Sequence, residues 1–113
     1  MKKKNLKLPT VDRLLELFDY DPFNGLLIRK STGKEAGTFN KERYRVVTID
    51  RVKYYVHRIV YKMFYRKDPG HYVIDHINGN PHDNSIENLR RCFVRTNLRN
   101  NMSKRLSCGN VPL

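Results

Sequence analysis

The chain has 113 residues, the size of one ordinary domain, which leaves little room for a second independent core. Lys and Arg number 23 against 11 Asp and Glu, a formal charge of +12, so the natural partner is a polyanion and nucleic acid is the first candidate. No apolar run approaches the roughly 20 residues of a membrane-spanning helix, and no apolar segment of a secretory signal follows the N-terminal lysines.

The N-terminal region predicts a helix followed by a short strand. Thr10 suits the N-cap of an amphipathic helix whose apolar stripe falls at helical spacing, on Val11, Leu14, Leu15 and Phe18. Residues 21–25 have the composition of a turn, residues 26–29 that of a strand, and residues 31–40 that of a loop with two glycines.

The middle of the chain predicts a hairpin and a second helix. Residues 44–49 and 52–56 are rich in β-branched and aromatic side chains, and Asp50 and Arg51 separate them without the usual glycine. Helical spacing then runs over 56–64. Between Lys41 and Lys67 there are nine Lys or Arg and two acids, and a two-stranded ribbon of this charge suits the major groove of DNA.

The C-terminal region predicts strand, turn, strand and helix, at residues 72–75, 78–81, 88–94 and 96–105. Residues 107–113 show no pattern. We therefore divide the chain into a basic helix and antiparallel-sheet section (1–70), a second section (71–106) and a tail (107–113). The second section is too small to hold a core alone, so we expect it to pack on the first.

The polar residues of the second section suit hydrolysis of a phosphodiester. Asp75 and Asn97 offer the hard oxygen donors that Mg²⁺ or Mn²⁺ prefers, one ion per site. His76 can take a proton from water near pH 7, and the side-chain oxygen of Asn88 can accept from its other ring nitrogen. Adjacent strand residues point to opposite faces, so Asp75 and His76 can serve one phosphate only where the strand ends or kinks.

Other residues carry weaker signals. The predicted last helix places Asn97, Asn100, Asn101 and Lys104 on one face, although asparagine is a poor helix former. Cys92 and Cys108 have no spacing for structural zinc and are expected to be plain thiols. The remaining candidates for contact with DNA are basic residues and one histidine: Arg43, Arg45, Arg51, Lys53, His57, Arg58, Arg90, Arg91, Arg95 and Arg99.

The stretch from residue 73 to residue 101 resembles the HNH nuclease motif of phage and mobile-intron homing endonucleases. The resemblance rests on three runs, Asp-His-Ile-Asn-Gly-Asn at 75–80, Asn-Leu-Arg at 88–90, and Asn-Leu-Arg-Asn at 97–100. Asn97 stands where the name-giving motif has histidine. The resemblance implies a ββα-metal finger with Asp75 and Asn97 as metal ligands, His76 as general base and Asn88 as its orienting partner. It also implies a phage or mobile-element origin.

The sequence as a whole predicts an α+β protein in which a small antiparallel sheet with helices precedes a ββα-metal finger. The predicted activity is metal-dependent cleavage of double-stranded DNA, nicking one strand per active site. A catalytically inactive DNA-binding protein is the alternative, and an RNA-binding module is a third reading. We expect a location in the cytoplasm of a bacterial host, and a homodimer or a host or phage partner protein where both strands are cut.

Overall fold

The computed structural model describes the backbone of residues 7–70, 72–95 and 105–108, and the side chains of residues 7–70 and 72–92. Within these ranges the fold is α+β, as the sequence predicts, and consists of two helices and three small antiparallel sheets. In chain order the elements are α1 (Val11–Leu17), β1 (Phe18–Asp21), β2 (Leu26–Arg29), β3 (Lys34–Glu35), β4 (Thr38–Phe39), β5 (Arg45–Ile49), β6 (Val52–Tyr55), α2 (Val56–Tyr65), β7 (Val73–His76), a 3₁₀ turn (Ile86–Asn88), β8 (Leu89–Arg95) and β9 (Arg105–Cys108).

The first helix begins where the sequence predicts. The hydroxyl of Thr10 accepts a hydrogen bond from the backbone N–H of Arg13 at 3.2 Å, as an N-cap does. The helix ends at Leu17, before the turn of residues 21–25 that was expected to end it, because Phe18 is extended and begins β1, which pairs with β2. The helical spacing of Phe18 correctly predicted that its side chain is buried. It did not predict the backbone conformation, which is that of a strand.

The three sheets have the strand orders β1-β2-β3, β4-β5-β6 and β7-β8-β9. The predicted β5–β6 hairpin is confirmed. Asp50 and Arg51 adopt φ angles of 50° and 71°, so two non-glycine residues supply the left-handed pair that this turn requires. The expectation that residues 31–40 form only a loop is wrong, since the two-residue strands β3 and β4 lie there and each pairs with a longer neighbour.

The two sections share one core. Ile74 and Leu89, from β7 and β8, belong to the same cluster of buried side chains as Leu14, Phe18 and Ile59. Helix α2 lies between them, in contact with β1, β5, β6, β7 and the 3₁₀ turn. The C-terminal section therefore packs on the first, as its small size requires. No helix in the described ranges is long and apolar enough to cross a membrane.

The C-terminal strand was not foreseen. Residues 105–108 form β9, which pairs antiparallel with β8, whereas the sequence predicted the end of a helix near Arg105 and no pattern from Ser107 onward. The rest of the predicted helix, residues 96–104, lies outside the described residues. The register sets Cys92 opposite Cys108, and Cys92 is disulfide-bonded, so the expectation of a plain thiol is wrong there.

Candidate active site

Strand β7 ends at the Asp75–His76 pair. Asp75 pairs with Arg90 of β8 and His76 pairs with Leu89, after which the N–H of Ile77 donates to the carbonyl of Asn88 at 2.8 Å. The chain then turns, with the N–H of Gly79 on the His76 carbonyl at 2.9 Å. His76 lies on the buried side of the strand and Asp75 on the partly exposed side. The two side chains thus leave opposite faces of β7, and the strand ends directly after them.

An asparagine that the sequence analysis did not select holds the imidazole of His76. The Oδ1 of Asn84 lies 2.8 Å from His76 Nε2. An amide oxygen only accepts, so this contact assigns the ring proton to Nε2 and leaves Nδ1 with the free lone pair. Asn84 is 2% exposed and His76 is 7% exposed, so substrate can meet only a small part of the ring. The one sequence signal for Asn84 is its place in a polar turn after the predicted site.

Two further rings contact His76, and a third ring packs against those two. The ring centroid of His57 lies 4.8 Å from that of His76 in an edge-to-face arrangement, and Tyr44 lies 5.4 Å from His57 and 5.9 Å from His76. Tyr55 completes this histidine–tyrosine cluster at 5.2 Å from His57. Burial, followed by the charges of His76 and Arg58, lowers the pKa of His57 to about 3. His57 is therefore a neutral packing partner of His76.

Asn88 holds the loop of residues 77–85 rather than the imidazole. Its Oδ1 accepts from the backbone N–H of Asn78 at 3.0 Å, and its Nδ2 donates to Asn78 Oδ1 at 3.0 Å and to the Asp83 carbonyl at 2.9 Å. The position that the sequence assigned to Asn88, against the second nitrogen of His76, is taken by Asn84. Asn88 therefore acts on His76 only through the loop that it braces.

Asp75 has the chemistry of a cation ligand. Arg90 donates to it through Nε at 3.1 Å and through Nη2 at 3.0 Å, and both bonds end on Oδ2, so Oδ1 is the oxygen that would face a cation. Within the described ranges no group of three or more His, Cys, Asp or Glu side chains is arranged to hold a metal. The second expected ligand, Asn97, lies outside the described residues.

Residues 54–101 match a family model described as HNH endonuclease. This segment belongs to the HNH endonuclease family. No curated protein and no solved structure matches the chain significantly. The match covers α2, β7, the 77–85 loop and β8, and therefore includes His57, Asp75, His76, Asn84 and Asn88. A nuclease or DNA-binding activity follows from the family, and DNA is the substrate that the family implies.

Several basic side chains of the HNH segment and of the strands before it are engaged within the protein. Arg45 lies 3.4 Å from Glu35, and Arg58 donates to the carbonyls of Gly70 and Tyr72. Arg91 is buried, with its guanidinium 4.3 Å from the ring centre of Tyr72. His57 is buried in the histidine–tyrosine cluster.

Other candidates for DNA contact are open to solvent or fall outside the described part. Arg43, Arg51 and Lys53 are exposed, and Arg90 is half-exposed beside Asp75. The side chain of Arg95 is outside the described set, and so are the whole residues Arg99, Asn100, Asn101 and Lys104.

Replacing Asn88 by alanine should destabilise the HNH segment locally. The change leaves the N–H of Asn78 and the carbonyl of Asp83 without their partner, and a buried unpaired group costs about 1–3 kcal/mol. We expect a lower midpoint in urea and faster amide exchange in the 77–85 loop. Ser85→Ala is a useful comparison, since it removes a single bond, to the Asp83 carboxylate, elsewhere in the same region. Equal stability of the Asn88 variant and the unmodified protein would contradict this role.

Burial of His57 should make the fold sensitive to mild acid. Its pKa is about 3 in the folded chain against an ordinary 6.5, so the unfolded chain binds the additional proton between these values. The stabilisation is complete above pH 6.5 and is lost as the pH falls, by about 1.4 kcal/mol per pH unit at most. Urea denaturation at pH 7, 6, 5 and 4.5 measures this slope. His57→Phe should flatten it, and an unchanged slope in that variant would contradict the assignment.

Proposed function

We propose that the chain is a metal-dependent DNA endonuclease that hydrolyses phosphodiester bonds and nicks one strand per active site. The observation that carries the proposal is the arrangement of His76 within the HNH segment, at the end of β7 beside Asp75, with Nε2 held by Asn84 at 2.8 Å. A fixed tautomer with a free ring nitrogen is what a general base requires. Such a base, next to a carboxylate in a strongly basic chain, suits attack on a polyanion.

Each residue has a distinct part in the proposed reaction. His76 takes a proton from the attacking water through Nδ1. Asn84 orients the imidazole, and Asn88 braces the loop that carries Asn84. Neutral His57 packs against His76 and adds no second positive charge beside it. The products are a 5′-phosphate and a 3′-hydroxyl.

Asp75 through Oδ1, together with Asn97, would hold the divalent cation, which we propose to be Mg²⁺ or Mn²⁺. When bound, such a cation offsets the charge of the scissile phosphate and of the departing oxygen. Arg90 holds the carboxylate of Asp75 in place by its two bonds to Oδ2. A chain with one such site cuts one strand, so cleavage of both strands needs a homodimer, a partner protein or a second binding event.

The exposed cations of the β4–β6 sheet would bind the phosphates of DNA. Arg43 and Arg51 lie in the turns at the two ends of β5, and Lys53 lies on β6. All three are exposed, so they can meet phosphates without losing an internal bond that the fold needs. Tyr55, two residues along β6 from Lys53, belongs to the histidine–tyrosine cluster. The proposed DNA surface therefore extends along β6 toward His76.

The deciding experiment uses supercoiled plasmid with the intact chain, in Mg²⁺ and in EDTA. Conversion to open circle that needs the cation supports the nuclease. Retarded migration on a gel that is equal in Mg²⁺ and EDTA, without nicking, would instead select the inactive DNA-binding protein. Tighter binding to structured RNA than to duplex DNA would select an RNA-binding module.

The biological setting is also a proposal. We propose a phage or mobile element as the source, since the three motif runs resemble homing endonucleases. The cytoplasm of a bacterial host is proposed because the substrate, DNA, lies there. A disulfide at Cys92 is uncommon in a reducing cytosol, so this proposal rests on the substrate and not on the cysteines.

A further inference from the structure

We infer that the β1–β2 hairpin, which lies outside the HNH segment, positions His76, and that Gly25 and Tyr20 are positioning residues for the reaction. The inference rests on the proposed function for its effect on catalysis. It depends on a chain of contacts that runs from the hairpin to Asn84 and from Asn84 to the imidazole. The hairpin comprises β1, β2 and the turn between them, whereas the family match begins only at residue 54.

Gly25 lies directly against the backbone that carries Asn84. A Cβ on Gly25 would stand 2.4 Å from the backbone nitrogen of Ser85 and 2.6 Å from the carbonyl carbon of Asn84. Any larger side chain must therefore push the Asn84–Ser85 peptide away, and backbone atoms cannot move aside as a flexible side chain can. The close approach sets where Asn84 sits.

Two hydrogen bonds connect the same hairpin to the same backbone. The hydroxyl of Tyr20 donates to the carbonyl of Asn84 at 2.7 Å, and the N–H of Ile86 donates to the carbonyl of Pro22 at 3.0 Å. Burial raises the pKa of Tyr20, which keeps the phenol protonated and able to donate. Tyr20 thus holds Asn84 by a hydrogen bond to its carbonyl, and Gly25 packs closely against the Asn84–Ser85 peptide.

The hairpin is rigid enough to set a position. Four residue pairs join β1 to β2, and the carboxylate of Asp21 accepts from the backbone N–H groups of Phe23 and Asn24 across the turn. On the other side of Asn84 the contact with His76 is a single bond of 2.8 Å between buried groups. If Asn84 were displaced, this bond would be lost, and the tautomer and orientation of the imidazole would no longer be fixed.

Gly25→Ala tests this inference, with Gly33→Ala as a matched control. Both glycines have φ of +72°, so alanine is equally strained at either position, but a Cβ on Gly33 meets nothing within 4 Å. We expect Gly25→Ala to lower the single-turnover nicking rate constant by about 10–100-fold. Affinity for DNA should stay within about twofold, since the exposed cations are untouched. Gly33→Ala should retain the unmodified rate.

The second readout follows the imidazole and does not require activity. Long-range proton–nitrogen NMR correlations of the His76 ring, assigned with His76→Gln, report which nitrogen carries the proton. The unmodified chain and Gly33→Ala should show it on Nε2, whereas Gly25→Ala should show a mixture of tautomers. Tyr20→Phe, which removes one bond and keeps the ring, should show the same change more weakly, and it serves where Gly25→Ala does not fold.

The outcomes separate this inference from the proposed function. Nicking by the unmodified chain, with unaltered rates and tautomers in Gly25→Ala and Tyr20→Phe, would overturn the positioning role and leave the nuclease standing. An inactive unmodified chain would overturn the nuclease, and the tautomer measurement would still decide the positioning role. A loss of rate in Gly25→Ala with an unaltered His76 ring would also overturn it, because the effect would then come from elsewhere.

Discussion

Replacing His76 by alanine should lower metal-dependent nicking by about 10²–10⁴-fold, the usual contribution of a general base. Without the imidazole, the attacking water has no proton acceptor at the end of β7. The loss should appear in the rate constant of bound DNA and not in affinity, since His76 is 7% exposed and contributes little to the surface that meets phosphates. Single-turnover nicking of plasmid with excess protein measures the rate constant.

The matched control for this experiment is His82→Ala. His82 is exposed and stacks on Phe39, with ring centroids 4.2 Å apart, in the same 77–85 loop as Asn84. It should keep most of the activity. His76 is buried in the histidine–tyrosine cluster, so its replacement could unfold the protein. Thermal unfolding must therefore show that both His76→Ala and His82→Ala are folded at the assay temperature. A folded His76→Ala protein that nicks at the unmodified rate would rule out His76 as the base.

Replacing Asp75 by alanine should abolish nicking at low metal concentration while changing stability little. This carboxylate is the proposed cation ligand among the described residues, and losing such a charge-neutralising ligand removes several kcal/mol of transition-state stabilisation. Its ion pair with Arg90 is partly exposed, with side chains 25% and 42% accessible, so it adds at most about 1 kcal/mol to folding. Nicking rates across a Mg²⁺ and Mn²⁺ titration test this.

Two further variants separate the ligand from the ion pair. Asp75→Asn keeps an oxygen donor without the charge, so it should need more metal than the unmodified chain and retain more activity than alanine. Asp19→Ala removes a largely exposed carboxylate, 3.9 Å from Lys30, and should leave the metal dependence unchanged. Unaltered metal dependence in Asp75→Ala would exclude Asp75 from the proposed metal site.

Local patterns predicted the elements whose signals lie within a few residues. Strand β2 follows a dense turn, and α2 carries a strong apolar stripe, so both were predicted close to their observed bounds. The two-residue strands β3 and β4 were missed because their pairing is set by longer neighbours elsewhere in the chain. Strand β1 was missed because Phe18 satisfied the helical spacing while its backbone paired with β2.

In the candidate site, too, the sequence predicted some residues and missed others. Asp75 and His76 could be selected from the sequence because their residue types and spacing carry chemistry, and the structure sets them at the end of a strand. The partner of His76 could not. Asn84 was one asparagine among several in a polar turn, and its backbone carbonyl accepts from the hydroxyl of Tyr20, which is 64 residues away in the chain. The prediction that Asn88 faces His76 was wrong for this reason. Choosing between Asn84 and Asn88 requires knowing which of them the β1–β2 hairpin places beside the imidazole.

By itself, the sequence determined the charge, the α+β class and the presence of an HNH motif with a histidine beside a carboxylate, because each depends on composition or on neighbouring residues. Only the tertiary structure decided which amide holds the imidazole, which arginines are consumed by internal bonds, and that an upstream hairpin bounds the site. These features depend on contacts between distant segments, and such contacts exist only once the shared core has brought the two sections together.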